Sequence, residues 1–199
     1  MRPLMFVWPY ALVYWIVHVW AFAPEMKLTR AARKRLKAAG NTSRDAGSIG
    51  VILWVTGLAM IAAIPIAFIP TLRIPPPARV PAFWIGVALL IAGSLLRRHC
   101  FKVLGEWFTG DVQAKAEQPV VDRGAYRFVR HPSYSGGILM FTGIGLTLGH
   151  WLSVLLLIAS TFVSYSYRIA VEERALSETI GEPYLAFMRT RKRFIPGVW

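Results

Sequence analysis

Residues 136–167 read GGILMFTGIGLTLGHWLSVLLLIASTFVSYSY, and the prediction of the fold starts from this stretch. It contains two apolar runs, residues 136–149 and 151–167, each short for a complete membrane span. Gly149 and His150 allow a tight turn between them. The stretch therefore predicts a short helical hairpin whose two open ends lie on the same side of a membrane.

Glycines are frequent in the first of these runs, at positions 136, 137, 143, 145 and 149. Small residues four apart, such as Gly145 and Gly149, let membrane helices approach closely. Room for a ligand is an alternative use of these glycines, but helix packing is the commoner one. We therefore expect the hairpin to pack closely on its neighbours.

Three further apolar runs precede the hairpin, at residues 4–23, 49–69 and 82–96. We interpret the first as a retained span rather than a signal peptide, because Arg2 is the only charge before it and three tryptophans lie within it. The sequence thus predicts an all-α integral membrane protein with five transmembrane helices. Residues 1–104 would hold three of them with a basic loop, and residues 105–199 a connector, the hairpin and a C-terminal helix.

The chain carries a net charge of +13, and its basic residues lie mainly between or after the apolar runs. This placement indicates membrane orientation and contact with anionic lipid headgroups, so nucleic acid is not an expected partner. Residues 27–44 hold seven basic residues and no acid, which predicts an amphipathic surface helix or a solvated loop on the cytoplasmic side. Within them, residues 40–43 predict a turn. Residues 70–81 suit the outer side, which puts the N-terminus outside and the C-terminus in the cytoplasm.

Two polar clusters flank the hairpin at its open ends. The first contains Tyr126, Arg130, His131, Pro132, Tyr134 and Gly136. Pro132 suits the first turn of a helix, where free N–H groups of residues 132–135 would form a site for a carboxylate. The second cluster contains Arg168, Glu172 and Glu173, of which the first two are four residues apart and share a helix face.

A hairpin of two similar helices would bring these clusters to one level. Together they offer cations and helix N–H groups for a carboxylate, carboxylates for a cation or ribose hydroxyls, and two tyrosines for a ring. A zwitterionic sulfonium nucleotide needs that mixture. The alternative is that Arg168 and Glu172 form an exposed ion pair, worth well under ~1 kcal/mol, and that the basic residues only anchor the membrane face.

The motif G-x-Y-x-x-V-R-H-P-x-Y-x-G at residues 124–136 is followed by R-x-x-x-E-E-x-x-L at residues 168–176 and by G-x-x-Y at residues 181–184. This combination resembles the isoprenylcysteine carboxyl methyltransferase family, which includes related membrane methyltransferases and phospholipid methyltransferases. The resemblance covers residues 105–196, and the first three apolar runs match only in general character.

The resemblance implies methyl transfer from S-adenosylmethionine, with S-adenosylhomocysteine as product, to a lipophilic acceptor that comes from the bilayer. An isoprenylcysteine-type carboxylate, a phospholipid amine or another small lipophile would suit as acceptor. Arg168 and Glu172 are the expected catalytic pair. The expected cofactor-binding residues are Tyr126, Arg130, His131, Pro132, Tyr134, Gly136, Glu172 and Glu173, and no metal site is expected.

Residues 1–104 would then form the substrate access region and residues 105–199 the methyltransferase core, with the cofactor pocket facing the cytoplasm. The charge pattern fits a bacterial inner membrane, which is the location we expect, and it fits an endoplasmic reticulum membrane equally well. Trp54, Phe83 and Trp84 are candidates for the acceptor channel. One alternative is an NADPH-dependent membrane reductase of the sterol-reductase-like type, although adjacent carboxylates would repel a dinucleotide phosphate. Another is a small transporter or scaffold, which would need charged residues along a pathway, although no Asp, Glu, Lys or Arg and only one histidine, His18, lies inside the five runs. The sequence does not predict the oligomeric state.

Overall fold

The computed structural model describes residues 2–39, 45–115 and 117–194. These residues form six α-helices and three short 3-10 helices, and no β-strand is found among them. The α-helices are α1 (Tyr10–Ala39), α2 (Ser48–Ile66), α3 (Pro76–Leu104), α4 (Pro132–Leu148), α5 (Trp151–Ile180) and α6 (Glu182–Thr190). The all-α prediction is confirmed. The turn predicted at residues 40–43 and the last five residues, 195–199, lie outside the described part of the chain.

Helix α1 corrects two sequence expectations. It begins at Tyr10 rather than near residue 4, and it continues without a break through Pro24 into the basic segment. A proline inside a helix leaves the carbonyl four residues earlier without its N–H partner. Here that carbonyl, of Trp20, accepts a hydrogen bond from Arg98 on α3 at 2.6 Å, and the next one, of Ala21, accepts from Ser94 at 3.0 Å. Two α3 side chains thus make an unbroken α1 possible.

The basic half of α1 is helical, and it contacts the connector between α3 and α4 on one face while its other face is exposed to solvent. Arg35 donates to the buried Asp111 carboxylate of the connector at 2.9 Å. Gly110 lies so close to α1 that a Cβ there would come within 3.0 Å of Ala32 and of the Leu28 carbonyl. The segment is therefore packed against the connector rather than forming a separate surface helix.

Within the described part of the chain, three helices are long and apolar enough to cross a membrane: α2, α3 with the 3-10 turn that follows it (Pro76–Trp107), and α5. Helix α4 has 17 residues, and α1 is charged over its second half. The count of five spans and their orientation accordingly stay predictions.

The predicted hairpin is confirmed. Helix α4 begins at Pro132 and ends before Gly149, whose φ of +70° is the left-handed conformation that glycine adopts at a helix end. Helix α5 begins two residues later and runs for 30 residues, so the predicted apolar run and the polar segment after it form one helix. It carries the second polar cluster back to the level of the first.

Glycines place α4 directly against α3. A Cβ on Gly136 or Gly143 of α4 would come within 3.0 Å of the backbone oxygen of Gly93 or Gly86 on α3. Two further glycines of α4 lie equally close to α5, at Gly137 and Gly145, whereas Gly149 forms the turn. Helix packing is therefore confirmed for four of the five glycines. The apolar core lies beside these contacts, with Leu90, Met140, Ile144, Leu148 and Leu157 fully buried.

Candidate active site

A cavity of about 540 Å³ lies where the open ends of the α4–α5 hairpin meet α1, α2 and the connector between α3 and α4. Its size is in the range of small-molecule sites, roughly 300–1,000 Å³. Part of its wall is polar and brings together residues of both predicted clusters: Tyr126, Arg130, His131, Tyr134, Arg168 and Glu172. Another part is apolar and includes Phe22, Met26, Ile52, Leu53, Met140 and Phe141.

Tyr134 joins the two clusters. Its hydroxyl donates to Glu172 Oε2 at 2.8 Å and accepts from Arg168 Nε at 3.2 Å. The Arg168 side chain is 4% exposed, whereas 31% of the Glu172 side chain is exposed, and Glu172 lines the cavity. The exposed ion pair considered as an alternative is therefore wrong: Arg168 is buried, and a tyrosine stands between it and Glu172.

Arg168 is fixed by a carboxylate that sequence reasoning did not identify. Its guanidinium forms a buried ion pair with Asp45, and it donates to Ser48 Oγ at 2.7 Å and to the Gly110 carbonyl at 3.0 Å. Asp45 comes from the segment between α1 and α2, where it also accepts from the Val112 N–H at 3.1 Å. The α1–α2 segment, the connector and α5 thus meet at one arginine.

The pKa of Asp45 reflects these contacts. Burial alone would raise it, but the Ile49 N–H, the Arg168 guanidinium, the Val112 N–H and the Ser48 hydroxyl together hold the pKa below its ordinary value. Asp45 is therefore a carboxylate at neutral pH, and it neutralises the charge of Arg168.

Glu173 lies behind the cavity wall rather than on it. Its side chain is 5% exposed, and Oε1 lies 3.1 Å from His131 Nε2 and 3.0 Å from Arg130 Nε. Its other oxygen accepts from Arg193 of the C-terminal segment at 2.8 Å. A carboxylate partner requires the proton on His131 Nε2, which leaves Nδ1 facing Glu172 at 3.9 Å. Glu173 thus sets the orientation of His131 and Arg130.

The structure places Pro132 and Gly136 beside the cavity without lining it. Pro132 is the first residue of α4, as predicted, and Gly136 packs against α3. The expectation of free N–H groups there needs correction, because the N–H groups of Tyr134 and Ser135 both donate to the His131 carbonyl, at 3.1 and 3.4 Å. The N-terminal end of α4 therefore offers fewer donors to an anion than expected.

A second ion pair in the cavity wall was also missed. Arg97 of α3 donates to both oxygens of Glu25 on α1 at 2.6 Å, and to the carbonyl and hydroxyl of Ser133 at 2.9 and 3.0 Å. The Arg97 side chain is only 12% exposed. It therefore ties α1 to the first turn of α4.

The candidates proposed for the acceptor channel do not line the cavity. Trp54 is 73% and Trp84 47% exposed on the outside of the bundle, and Phe83 is buried in the core. The described residues contain no group of three His, Cys, Asp or Glu side chains that could hold a metal ion.

Curated relatives give an independent comparison. The chain is 27% identical over 121 residues to protein-S-isoprenylcysteine O-methyltransferase B of Arabidopsis thaliana, an alignment that covers 58% of this chain and 61% of that protein. It is 32% identical over 105 residues to the Saccharomyces cerevisiae protein-S-isoprenylcysteine O-methyltransferase, covering 52% and 44%. The alignments thus span only 61% and 44% of the length of these relatives.

A solved structure of the eukaryotic intramembrane Ras methyltransferase ICMT matches the fold with a TM-score of 0.61 and 25% identity, over 71% of this chain and 52% of that one. The family model described as phospholipid methyltransferase matches residues 81–182. That match includes most of α3, the connector, both motif-bearing clusters and the hairpin, which is about half of the chain. The chain belongs to the phospholipid methyltransferase family.

Proposed function

We propose that the protein transfers a methyl group from S-adenosylmethionine to a lipophilic acceptor that reaches the cavity from the bilayer. The observation that carries this proposal is the cavity itself, where Tyr134, Glu172 and His131 face an apolar wall of α1, α2 and α4. The named relatives are methyltransferases, and they support methyl transfer over the reductase alternative.

The polar and aromatic side chains of the cavity fit the chemical groups of the cofactor. S-adenosylmethionine supplies an electrophilic methyl group on a positively charged sulfur. The exposed part of Glu172 provides a carboxylate for positive charge, and Arg130 provides a cation for a carboxylate. His131, whose Nε2–H is held by Glu173, presents Nδ1 as a hydrogen-bond acceptor. Tyr126 and Tyr184 line the same cavity, and burial raises the pKa of both phenols, so both remain neutral ring surfaces with a hydroxyl. Glu173 acts indirectly, by holding His131.

Arg168 and Glu172 are the proposed pair at the transfer site. Arg168 has five N–H groups, and four of them donate to Asp45, Ser48, Gly110 and Tyr134. Among the described residues, nothing accepts from the second N–H of Nη2, which we assign to orienting an acceptor. Alignment of donor and acceptor can itself supply ~7–11 kcal/mol, and a carboxylate acceptor needs no base, whereas an amine would give its proton to Glu172 or His131.

We also propose five spans, α1 to α5, with the N-terminus outside and the cavity facing the cytoplasm of a multi-pass membrane protein. The basic second half of α1 and the basic C-terminal segment both lie near the cavity, and the excess of Lys and Arg on cytoplasmic segments supports this orientation. A bacterial inner membrane remains our proposal for the location.

Calorimetric titration of the purified protein with S-adenosylhomocysteine tests the donor. We expect binding by the wild type and at least tenfold weaker binding by Glu172→Gln, because the loss of a charged hydrogen-bond partner costs ~1.5–3 kcal/mol. Glu178→Gln is the matched control, since Glu178 is exposed on the same helix and does not line the cavity.

Incubation with radiolabelled S-adenosylmethionine and a lipid extract then identifies the acceptor from the labelled product. Binding of NADPH but not of S-adenosylhomocysteine would exclude methyl transfer, and undiminished binding by Glu172→Gln would remove Glu172 from the site.

A further inference from the structure

A second cavity, of about 190 Å³, lies at the other end of the bundle. Helix α4 begins at the catalytic cavity and ends at this second one, about 25 Å away for 17 residues at 1.5 Å each. Three arginines line it, Arg2, Arg73 and Arg79, and the other lining residues are proline, aliphatic residues and Gly149. We call these three residues the arginine cluster.

The lining of this cavity is positively charged, because none of its lining residues is Asp or Glu. The ten acidic residues of the sequence all lie at positions 25–45, 106–122 and 172–182, which belong to the end of the bundle that holds the catalytic cavity. Three like charges around so small a volume repel one another, and an anion in the cavity would relieve that repulsion.

Neutral backbone carbonyls of described residues help to orient two of the arginines. Arg79 donates to the Arg2 carbonyl, and Arg73 donates to the Ile69 carbonyl at 2.9 Å and to the Phe68 carbonyl. The planar fork of an oriented guanidinium matches the oxygens of a phosphate, to which it can donate two hydrogen bonds at once.

The loop that carries Arg73 is fastened to the hairpin turn. The Ile74 N–H donates to the Gly149 carbonyl, and the Trp151 N–H donates to the Leu72 carbonyl, both at 2.9 Å. The cavity is therefore built from segments whose backbones are already joined, so that little order would be lost when a ligand binds.

Apolar side chains beside the cavity indicate what else the ligand carries. Phe68 is 45% and Leu72 61% exposed, and both adjoin the loop that presents Arg73. A ligand with a phosphate and an acyl chain would cover both features. We propose that the arginine cluster binds the phosphate group of a membrane phospholipid, at the end of the bundle opposite the catalytic cavity and independently of methyl transfer.

Native mass spectrometry of the delipidated full chain tests this proposal. The probes are phosphatidylglycerol, phosphatidylcholine, a diacyl glycolipid without phosphate, and inorganic phosphate. We expect both phospholipids to bind at least tenfold more tightly than the glycolipid. Each arginine near a lipid surface contributes about fivefold, so the Arg2→Gln/Arg73→Gln/Arg79→Gln variant should lose roughly a hundredfold in the first binding step.

The matched control is Lys27→Gln/Lys34→Gln/Lys37→Gln, which removes three exposed charges from α1 outside both cavities. Equal losses in the two triple variants, or equal binding of glycolipid and phospholipid, would overturn the proposal. Inorganic phosphate that binds as tightly as the phospholipids would overturn the lipid assignment. If the arginine triple variant does not fold, Arg79→Gln alone carries the test, with about fivefold weaker binding expected and unchanged binding as the contrary result.

Discussion

The hydroxyl of Tyr134 links Arg168 to Glu172, since it donates a hydrogen bond to Glu172 and accepts one from Arg168. Tyr134→Phe would leave the Arg168 Nε without its acceptor and Glu172 without its donor. Loss of a hydrogen bond to a charged group costs about 1.5–3 kcal/mol, so we expect kcat/KM for methyl transfer to fall at least tenfold. Steady-state kinetics with labelled S-adenosylmethionine would measure it.

Tyr167→Phe is the control for this prediction. Tyr167 lies one residue before Arg168 and donates to the Ala46 carbonyl at 3.0 Å, outside the cavity lining. The same hydroxyl deletion there should leave kcat/KM within twofold of wild type. Equal effects of the two substitutions would show that Tyr134 acts only through stability.

Asp45 predicts a pH dependence of stability. Its folded pKa lies below the ordinary value, so the carboxylate stabilises the fold fully above the unfolded pKa of about 3.9, and this contribution is lost as the pH falls through the folded pKa. Asp45→Asn, which leaves Arg168 buried without its counter-charge, should cost about 3 kcal/mol at pH 7. The difference from wild type should shrink below about pH 4.

Thermal unfolding in detergent between about pH 3 and pH 7 checks this prediction. Asp122→Asn serves as the comparison, because Asp122 is an exposed carboxylate of the connector and should not alter the unfolding temperature at neutral pH. A difference between Asp45→Asn and wild type that stays constant over this whole range would contradict the assigned pKa shift.

The polar clusters could be read from the sequence because each is local, as with Arg168 and Glu172 one helical turn apart. Their long-range partners could not. Asp45 and Arg168 are 123 positions apart, and Glu25 and Arg97 are 72 apart. Glu25 and Asp45 flank the basic segment, and neither carries a local sign that its partner is buried on another helix, so these two ion pairs appear only when the helices are packed.

At the scale of elements, two reciprocal glycine pairs set the distance between α3 and α4. Gly86 faces Gly143 and Gly93 faces Gly136, and a Cβ added to any of the four would lie within 3.0 Å of its partner's backbone oxygen. Gly93→Ala should push the helices apart and destabilise the fold by about 1–3 kcal/mol, as overpacking does elsewhere. Because Arg97 lies one turn further along α3 and binds Ser133, S-adenosylhomocysteine binding should weaken as well.

Gly57→Ala on α2 is the matched control, since a Cβ at Gly57 would meet no atom within 4 Å. It should leave the unfolding temperature unchanged or raise it slightly, because alanine favours the helix more than glycine does. Thermal unfolding measures the stability of both variants, and calorimetry measures their binding of S-adenosylhomocysteine. A Gly93→Ala protein as stable as Gly57→Ala would disprove the close approach of α3 and α4.

The ends of a helix can be predicted from the sequence where a single proline or glycine determines them. Pro132 opens α4 and Gly149 closes it, as their backbone preferences predict. Pro24 does not end α1, and the Trp20 carbonyl that it leaves without an N–H partner accepts from Arg98, 78 residues away. Sequence alone gives the cost of an internal proline but not the partner that offsets it. The sequence therefore predicts a span that ends before Pro24 and a separate basic segment, where the structure has one helix.

Charge is distributed unequally over the whole molecule. The arginine cluster contributes only three of the 23 Lys and Arg residues. The other Lys and Arg residues that the structure describes lie with all ten acids on segments near the cavity that Arg168 and Glu172 line. Such segregation is typical of a protein whose basic end faces the cytoplasm. It supports the proposed orientation in which α1 to α5 each cross the membrane, including α4, which has 17 residues and packs closely on α3.

Maleimide labelling of cysteines introduced one at a time, in intact cells, tests this orientation. Wild type is the blank, because Cys100 is fully buried and should not react with an impermeant maleimide. With five spans, Phe6→Cys, Ala78→Cys and Trp151→Cys should be labelled from outside, and Ala38→Cys only after the membrane is permeabilised. All four positions are exposed on the folded chain, so differences in labelling report the side of the membrane. Labelling of Ala38→Cys in intact cells would show that the orientation is the reverse of the proposed one. Protection of Trp151→Cys would show that the hairpin does not cross the membrane.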